Sequence, residues 1–132
     1  MEHSTEILYN KTEVYCSRVH RFGSDALLLA RFCPPKRTQK AADLCSGCGI
    51  VSLEWHDSGH RGPCTALELQ PEASALLAQA VAEQGLDHIA PLCADLRTCR
   101  EGEGTYDLCA CNPPYFTDGI QSTNAARATA RH

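Results

Sequence analysis

Long apolar runs are missing from this 132-residue sequence. A helix needs about 20 consecutive apolar residues to span a bilayer, and no stretch approaches that length. The N-terminus, MEHSTEILYN, also lacks the basic and apolar regions of a signal peptide. Internal repeats and low-complexity tracts are missing as well. We therefore predict one soluble, cytoplasmic domain with no membrane contact, whose core comes from the 43% of residues that are hydrophobic.

Cysteine, by contrast, is abundant, with nine residues. A disulfide scaffold would usually show an even count and a secretion signal. Five cysteines lie in or beside apolar, strand-like segments, where a free thiol behaves as a small buried hydrophobe; these are Cys45, Cys64, Cys93, Cys109 and Cys111. We predict reduced thiols. A zinc module built on Cys45-x-x-Cys48 and Cys109-x-Cys111 is an alternative, but the second spacing suits tetrahedral zinc poorly, so no metal is predicted.

Charge is divided unevenly along the chain. Residues 1–40 carry seven Lys or Arg against four acids, a net charge of +3, whereas residues 41–132 carry five against twelve, a net charge of −7. The basic segment could contact a polyanion such as a nucleic acid, which the acidic remainder could not do easily. A solvated spread of charge without a functional role stays open as the alternative.

Two elements are predicted before residue 40. Residues 6–16 suggest a short hairpin around Asn10-Lys11. Residues 23–32 predict a helix with Ser24 as its N-cap and Asp25 in the first turn, where the helix dipole favours an acid.

From residue 40 the pattern becomes regular and indicates an α/β fold. Strands are predicted at 40–45, 64–69, 89–94 and 106–111, with helices at 50–59 and between Pro71 and Gly85. Alternating strands and helices predict parallel strands joined by crossovers, and hence a sheet with helices on both faces. We divide the chain into an N-terminal hairpin-and-helix segment, 1–39, and a sheet domain, 40–132.

A glycine turn, SGCG within the stretch DLCSGCG at 43–49, follows the first strand of this sheet. Ligands of such sheets bind beyond the carboxyl ends of the strands. Gly47 and Gly49 allow a sharp turn and close backbone approach, and the next helix offers free N–H groups to an electron-rich ligand. Glu68 ends the second strand, where a carboxylate can accept hydrogen bonds from both ribose hydroxyls. Asp95, after the third strand, could accept one from an adenine amino group or merely cap a helix.

Two motifs are incomplete at this turn. Ser52 stands where the dinucleotide fingerprint has its third glycine, and no Gly-Lys-Ser/Thr follows to form a phosphate loop. These absences favour a nucleoside-type ligand without a bulky pyrophosphate, a description that S-adenosylmethionine fits.

The segment DLCACNPPYF, at 107–116, ends the fourth strand abruptly, because two consecutive prolines stop a strand. The carboxamide oxygen of Asn112 and the carbonyl of Pro113 can both accept hydrogen bonds from one planar amine. This draws the nitrogen toward a tetrahedral, nucleophilic geometry and stabilises the charge that develops as it attacks a methyl group. Tyr115 can stack on a flat base. The segment predicts methyl transfer to an amino nitrogen.

The order and spacing of these motifs resemble a class I S-adenosylmethionine-dependent methyltransferase that acts on an amino nitrogen. With RFGSDALLLARF (21–32), NPPYFTDG and the closing ARATARH, the sequence is more narrowly similar to the tRNA(Val) adenine-6-amino methyltransferases of the small-domain type, from about residue 6 to the end. The resemblance implies a Rossmann-like sheet and a tRNA substrate.

Roles for individual residues are also implied by the resemblance. Phe22 and Asp25 would belong to a segment that flanks the cofactor pocket. S-adenosylmethionine would be bound by Gly47, Gly49, Glu68 and Asp95, with Asp43 supporting the glycine turn. The target amine would be held by Asn112, Pro113 and Tyr115.

The resemblance leaves one mismatch and two alternatives. The family fold has seven strands and four are predicted here, so we expect a truncated chain with only the N-terminal half of the fold. Strand 106–111 would then be an apolar edge with unpaired backbone groups, which favours self-association. A protein glutamine methyltransferase acting on release factors also uses Asn-Pro-Pro-Tyr, and a non-catalytic nucleotide-binding remnant is the other alternative.

Overall fold

A computed structural model describes residues 3–113 of the chain. Its elements, in chain order, are β1 (Ser4–Ile7), β2 (Glu13–Cys16), α1 (Ser24–Phe32), β3 (Ala41–Leu44), α2 (Ile50–Asp57), β4 (Cys64–Glu68), α3 (Pro71–Gln84), β5 (Ile89–Cys93) and β6 (Leu108–Cys111). Strands β1 and β2 form an antiparallel hairpin, and the other four form a parallel sheet in the order β5-β4-β3-β6. The α/β class, the hairpin and the place of the fourth sheet strand beside the first are confirmed.

Helices α2 and α3 cover one face of the sheet. The chain steps from β3 through β4 to β5 in one direction, and right-handed crossovers then put both helices on the same side. Along β6, Leu108 and Ala110 join the core, whereas the alternate residues Cys109 and Cys111 are exposed. Helices α2 and α3 therefore cover the face of the sheet on which Leu108 and Ala110 lie.

The N-terminal hairpin shares the core of the sheet domain. The Tyr15 hydroxyl donates to Glu83 Oε1 of α3 at 2.7 Å, and the Asn10 backbone N–H donates to Asp57 Oδ2 of α2 at 2.8 Å. The hairpin contributes four buried residues to the core: Leu8, Val14, Tyr15 and Cys16. These contacts hold the hairpin against both helices, and the division at residue 39 stays a prediction.

One predicted helix cap is wrong. Gly23, with φ −106° and ψ 175°, is the N-cap of α1, and no side chain caps this end. Ser24 is instead the first residue of the helix, because the extended backbone ends one residue earlier than predicted. Asp25 does lie in the first turn, as predicted.

The cysteines are unbridged in the structure, but their predicted burial is only partly confirmed. Cys64 is buried and Cys45 is half-buried, whereas Cys93, Cys109 and Cys111 are exposed. Cys109 and Cys111 lie on the face that α2 and α3 leave uncovered, and Cys93 ends the edge strand β5. Among residues 3–113, no group of three or more His, Cys, Asp or Glu side chains could hold a metal ion, and no helix is long and apolar enough to cross a membrane.

Strand β6 leads to the first testable prediction, which is self-association of the 132-residue chain. Strand β6 pairs with β3 on one side, and no described strand pairs with its other side. An open edge of this kind offers backbone N–H and C=O groups to another chain. Light scattering should therefore give a mass above that of the monomer, and Cys109→Lys should lower it, because a lysine on an edge opposes pairing. A monomeric wild-type chain at high concentration would refute this.

Candidate functional site

The carboxyl ends of the four parallel strands meet at one rim of the sheet. Leu44, the last residue of β3, is the register partner of Cys111 in β6 and of Leu67 in β4. Glu68 pairs in turn with Cys93, the last residue of β5. The rim therefore brings together the glycine turn, Glu68, Asp95 and Asn112.

The glycine turn connects β3 to α2 through left-handed backbone. Gly47 has φ 57° and Gly49, the N-cap of α2, has φ 90°. A Cβ at Gly49 would clash with the Leu77 side chain of α3, whereas a Cβ at Gly47 would meet nothing within 4 Å. Gly49 is thus required by packing as well as by φ, while Gly47 faces open space in which a ligand can approach the backbone.

This difference predicts unequal costs for two alanine substitutions. Both variants place a side chain at positive φ, which costs about 1–2 kcal/mol. Gly49→Ala also overpacks the contact with Leu77, at a further cost of about 1–3 kcal/mol. Urea denaturation should show Gly49→Ala losing clearly more unfolding free energy than the matched Gly47→Ala. Equal losses of unfolding free energy in the two variants would mean that the Leu77 side chain moves aside at no cost in stability.

Glu68 joins the glycine turn to the end of β4. It is 8% exposed, its Oε1 accepts the Gly47 N–H at 2.8 Å, and its Oε2 accepts the Gln70 N–H at 2.8 Å. The sequence did not predict either bond. Each carboxylate oxygen can still accept a second hydrogen bond, so Glu68 can hold the turn and a ligand hydroxyl together.

Asp43 supports the same turn from inside the protein. The carboxylate is 1% exposed, and its Oδ2 accepts hydrogen bonds from the Ser52 hydroxyl at 2.6 Å and the Ser52 N–H at 3.1 Å. Burial raises the pKa of Asp43 to about 7, although both Ser52 bonds oppose this change. Ser52 therefore supplies both hydrogen bonds that hold the buried Asp43 carboxylate. Sequence reasoning missed this role because it considered Ser52 only as the residue that replaces the third glycine of the dinucleotide motif.

Asp95 follows β5 at the rim and is engaged by Arg97. Arg97 Nη2 donates to Asp95 Oδ2 at 2.7 Å, and the Arg97 N–H donates to Asp95 Oδ1 at 2.9 Å. These side-chain and backbone bonds lower the pKa of Asp95 to about 2. In residues 3–113 no α-helix follows Asp95 before β6, so the helix-cap alternative is wrong and a turn closed by Arg97 takes its place. Arg97 was not singled out from the sequence.

The predicted amine-binding residues lie at the end of β6. Asn112 is half-buried and Pro113 is exposed, directly after the pair formed by Cys111 and Leu44. Tyr115 lies outside the described residues. Near the other end of the chain, Phe22 packs against the core, and Asp25 lies in α1.

Ser46 is a further residue at the turn that sequence reasoning missed. Its N–H donates to the Leu67 carbonyl oxygen at 2.9 Å. Its hydroxyl oxygen is buried and has no hydrogen-bond partner in the described part of the chain. A buried hydroxyl without a partner is uncommon in a folded protein, and no sequence signal distinguishes it from an ordinary turn serine.

Comparison with known proteins gives a consistent result. A family model described as "Methyltransferase small domain" matches residues 6–131. The tRNA1(Val) (adenine(37)-N6)-methyltransferase of Shewanella halifaxensis (strain HAW-EB4) is 33% identical over 112 residues, which cover 83% of this chain and 45% of that protein. A protein of the same name from Bacteroides fragilis is 29% identical over 119 residues, which cover 85% of this chain and 48% of that protein. The chain thus spans about half the length of the curated relatives it matches.

Among solved structures, TrmN from Thermus thermophilus superposes with a TM-score of 0.58 at 28% identity, covering 67% of this chain and 27% of that chain. The SAM-dependent methyltransferase from Agrobacterium tumefaciens gives a TM-score of 0.60 at 20% identity, and the match covers 86% of this chain and 40% of that chain. The second likeness concerns the fold alone.

Proposed function

Because the chain belongs to the methyltransferase small-domain family, we propose that it is an S-adenosylmethionine-dependent methyltransferase acting on an amino nitrogen, with adenine in tRNA as its substrate. The relatives from Shewanella halifaxensis and Bacteroides fragilis are named for that reaction, which supports the tRNA assignment. The sheet domain 40–132 supplies the site, and the segment 1–39 flanks it.

One observation carries the proposal, and it is the register of β3 against β6. Leu44 precedes the glycine turn, Cys111 precedes Asn112, and the two are partners in the sheet. A cofactor at the turn and an amine at Asn112 would therefore be next to each other, as direct methyl transfer requires.

The described residues fit a nucleoside cofactor. Glu68 keeps acceptor capacity for the ribose hydroxyls, Gly47 faces open space, and the Ser46 hydroxyl has no hydrogen-bond partner among residues 3–113. The Asp95 side chain is exposed enough to accept a hydrogen bond from an adenine amino group once the Arg97 side chain moves away from it. When bound, S-adenosylmethionine supplies an electrophilic methyl group carried on a sulfonium.

On the amine side, the chain supplies hydrogen-bond acceptors rather than a general base. The Asn112 carboxamide oxygen and the Pro113 carbonyl accept the two N–H bonds of the substrate amine, and the prolines hold these acceptors in place before the substrate arrives. Tyr115 stacks on the base. No metal and no cysteine takes part in the proposed reaction.

A binding experiment tests the cofactor part of the proposal. Calorimetry with S-adenosylhomocysteine should show one site, and Glu68→Ala should weaken binding by about 1–3 kcal/mol, the cost of removing hydrogen bonds to a charged group. Glu72→Ala is the matched control, because Glu72 is an acid in the first turn of α3 with a side chain 77% exposed. If the two substitutions weakened S-adenosylhomocysteine binding equally, the loss would come from the change in net charge and not from contacts of Glu68 with the ligand.

A substrate experiment separates tRNA from the alternatives. The full chain is incubated with labelled S-adenosylmethionine and either a tRNA(Val) transcript or a glutamine-containing release-factor peptide, and the products are digested for mass spectrometry. N6-methyladenosine in the tRNA supports the proposal. Methylglutamine in the peptide would favour the release-factor reading, and cofactor binding without any product would favour the non-catalytic remnant.

A further inference from the structure

Two cysteines are neighbours where the glycine turn meets strand β6. Cys45 is the first residue after β3, and Cys111 is the register partner of the preceding Leu44. Burial, and next the charge and hydrogen bond of the Cys111 thiol, raise the pKa of Cys45 to about 12. Cys45 therefore lies one position out of register from Cys111 across the sheet, although 66 positions separate the two in the sequence.

The backbone geometry suits a covalent bridge between them. Adjacent strands lie about 4.8 Å apart with a rise of about 3.3 Å per residue, so Cα atoms one residue out of register are separated by roughly 6 Å. Disulfides join Cα atoms about 4.4–6.8 Å apart. Cys45 has φ 58°, a left-handed conformation that few residues other than glycine adopt.

The remaining cysteines near this turn have other neighbours. Cys48, the second cysteine of the C-x-x-C sequence, is buried and interacts with Cys16 of β2, and this raises the pKa of Cys48. Cys109 is paired with Ala42, which puts it two residues before Cys111 on β6 and farther from Cys45. The structure thus selects one exposed partner for Cys45.

We propose that Cys45 and Cys111 form a modification site, at which an oxidant of the hydroperoxide class converts the dithiol into a disulfide that ties the glycine turn to β6. The site lies outside the proposed chemistry of methyl transfer, which uses neither thiol.

The reaction balances with one peroxide for each bridge. The Cys111 thiolate, on the exposed residue, attacks one peroxide oxygen and the O–O bond breaks, which gives a Cys111 sulfenic acid. The other oxygen takes up a proton and leaves as water from hydrogen peroxide, or as an alcohol from an organic hydroperoxide. Cys45 then attacks the Cys111 sulfur, the S–O bond breaks, and the Cys45 proton leaves with the hydroxide as water. Two electrons pass from the two thiols to the peroxide.

Bridge formation should distort the cofactor side of the rim. A disulfide brings the sulfurs to about 2.05 Å, closer than two hydrogen-bonded thiols, and so displaces the backbone around Cys45. Ser46 and Gly47, which follow directly, bond to Leu67 and Glu68. Losing one hydrogen bond to a charged group can weaken binding by about tenfold or more, so we expect the oxidised form to bind S-adenosylhomocysteine at least about tenfold more weakly. This consequence rests on the proposed function, whereas the bridge does not.

The test treats the full folded chain with hydrogen peroxide, blocks the remaining thiols and maps disulfides by mass spectrometry. The expected product is an intramolecular bridge between the Cys45 and Cys111 peptides that dithiothreitol reverses. Cys45→Ser and Cys111→Ser should each abolish it, and the matched variants Cys109→Ser and Cys48→Ser should retain it. A Cys45–Cys48 bridge, an intermolecular bridge through Cys109, or sulfinic acid at Cys111 without a bridge would overturn the proposal.

Calorimetry on the oxidised and reduced forms then separates the two proposals. Weaker binding only in the oxidised form supports the effect on the turn, and equal binding in both forms refutes that effect. If the bridge forms and neither form binds S-adenosylhomocysteine, the assigned cofactor is wrong while the modification site stands.

Discussion

Asn112→Ala should lower the rate of methyl transfer by about 10²–10³, by analogy with the loss of one transition-state hydrogen-bond partner, while cofactor affinity stays unchanged. The reason is positional. Asn112 follows the strand partner of Leu44, on the amine side of the rim, whereas the groups that would bind the cofactor lie on the turn and at the ends of β4 and β5. The substitution removes an acceptor for the substrate amine and leaves Gly47 and Glu68 untouched.

The measurement is single-turnover methylation of the tRNA transcript, alongside calorimetry with S-adenosylhomocysteine. Asn112→Asp serves as the matched variant, because a carboxylate keeps an acceptor oxygen at the same position, and it should retain more activity than Asn112→Ala. Turnover close to that of the wild type in Asn112→Ala would eliminate the proposed role, and loss of cofactor binding would assign Asn112 to the other side of the site.

The order of elements could be predicted because local signals and the fold agree. Pro71 begins α3 and Gly85, with φ 68°, caps its end, as expected of proline at a first turn and glycine in a left-handed cap. Short apolar segments separated by helices led to the parallel sheet, and the glycine turn, Glu68, Asp95 and Asn112 followed as residues at the carboxyl ends of strands.

The packing of the sheet faces could not be predicted in the same way. Apolar composition shows that a strand can be buried but does not show which side another element covers. Cys109 and Cys111 were read as buried from their neighbours, yet both belong to the face without a described helix. Only the direction of the crossovers determines that outcome.

Contacts between distant residues were also beyond the sequence. The bond from Gly47 to Glu68 and the proximity of Cys45 to Cys111 join the glycine turn to two different strands, and nothing in the local pattern specifies them. Ser52 is a different case, since nine residues separate it from Asp43. A buried acid at the end of a strand needs a donor, and a serine in the next helix would have been a reasonable candidate.

Two groups, His56 and Asp43, should make the stability of the fold depend on pH, and their contributions change with pH in opposite directions. Burial, together with the charges of Arg61 and His88, lowers the pKa of His56 to about 4, and His56 Nδ1 lies 2.7 Å from His88 Nε2. An unfolded histidine titrates near 6.5, so the stability contributed by neutral His56 is complete above that pH and is lost as pH falls through about 4. Replacing His56 by Gln should remove this loss in acid.

Asp43 acts in the reverse direction and has the larger expected effect on stability. Its pKa is about 7 in the folded chain and 3.8 as a free side chain, so the folded state holds the proton more tightly than the unfolded state. The resulting stabilisation is complete below 3.8 and is lost as pH rises through about 7. At 1.36 kcal/mol for each pH unit, the change amounts to at most about 4 kcal/mol.

Asp43→Asn should therefore gain unfolding free energy relative to the wild type as pH rises from acid to neutral, because the carboxamide oxygen can accept both Ser52 bonds without ionising. The measurement is the difference in unfolding free energy between variant and wild type by urea denaturation, at a series of pH values from acid to mildly alkaline. His56→Gln is the control, and its difference from the wild type should change with the opposite slope. A difference between Asp43→Asn and wild type that stays constant with pH would mean that Asp43 has the same pKa in the folded and the unfolded chain, and that the Ser52 hydrogen bonds fully compensate for its burial.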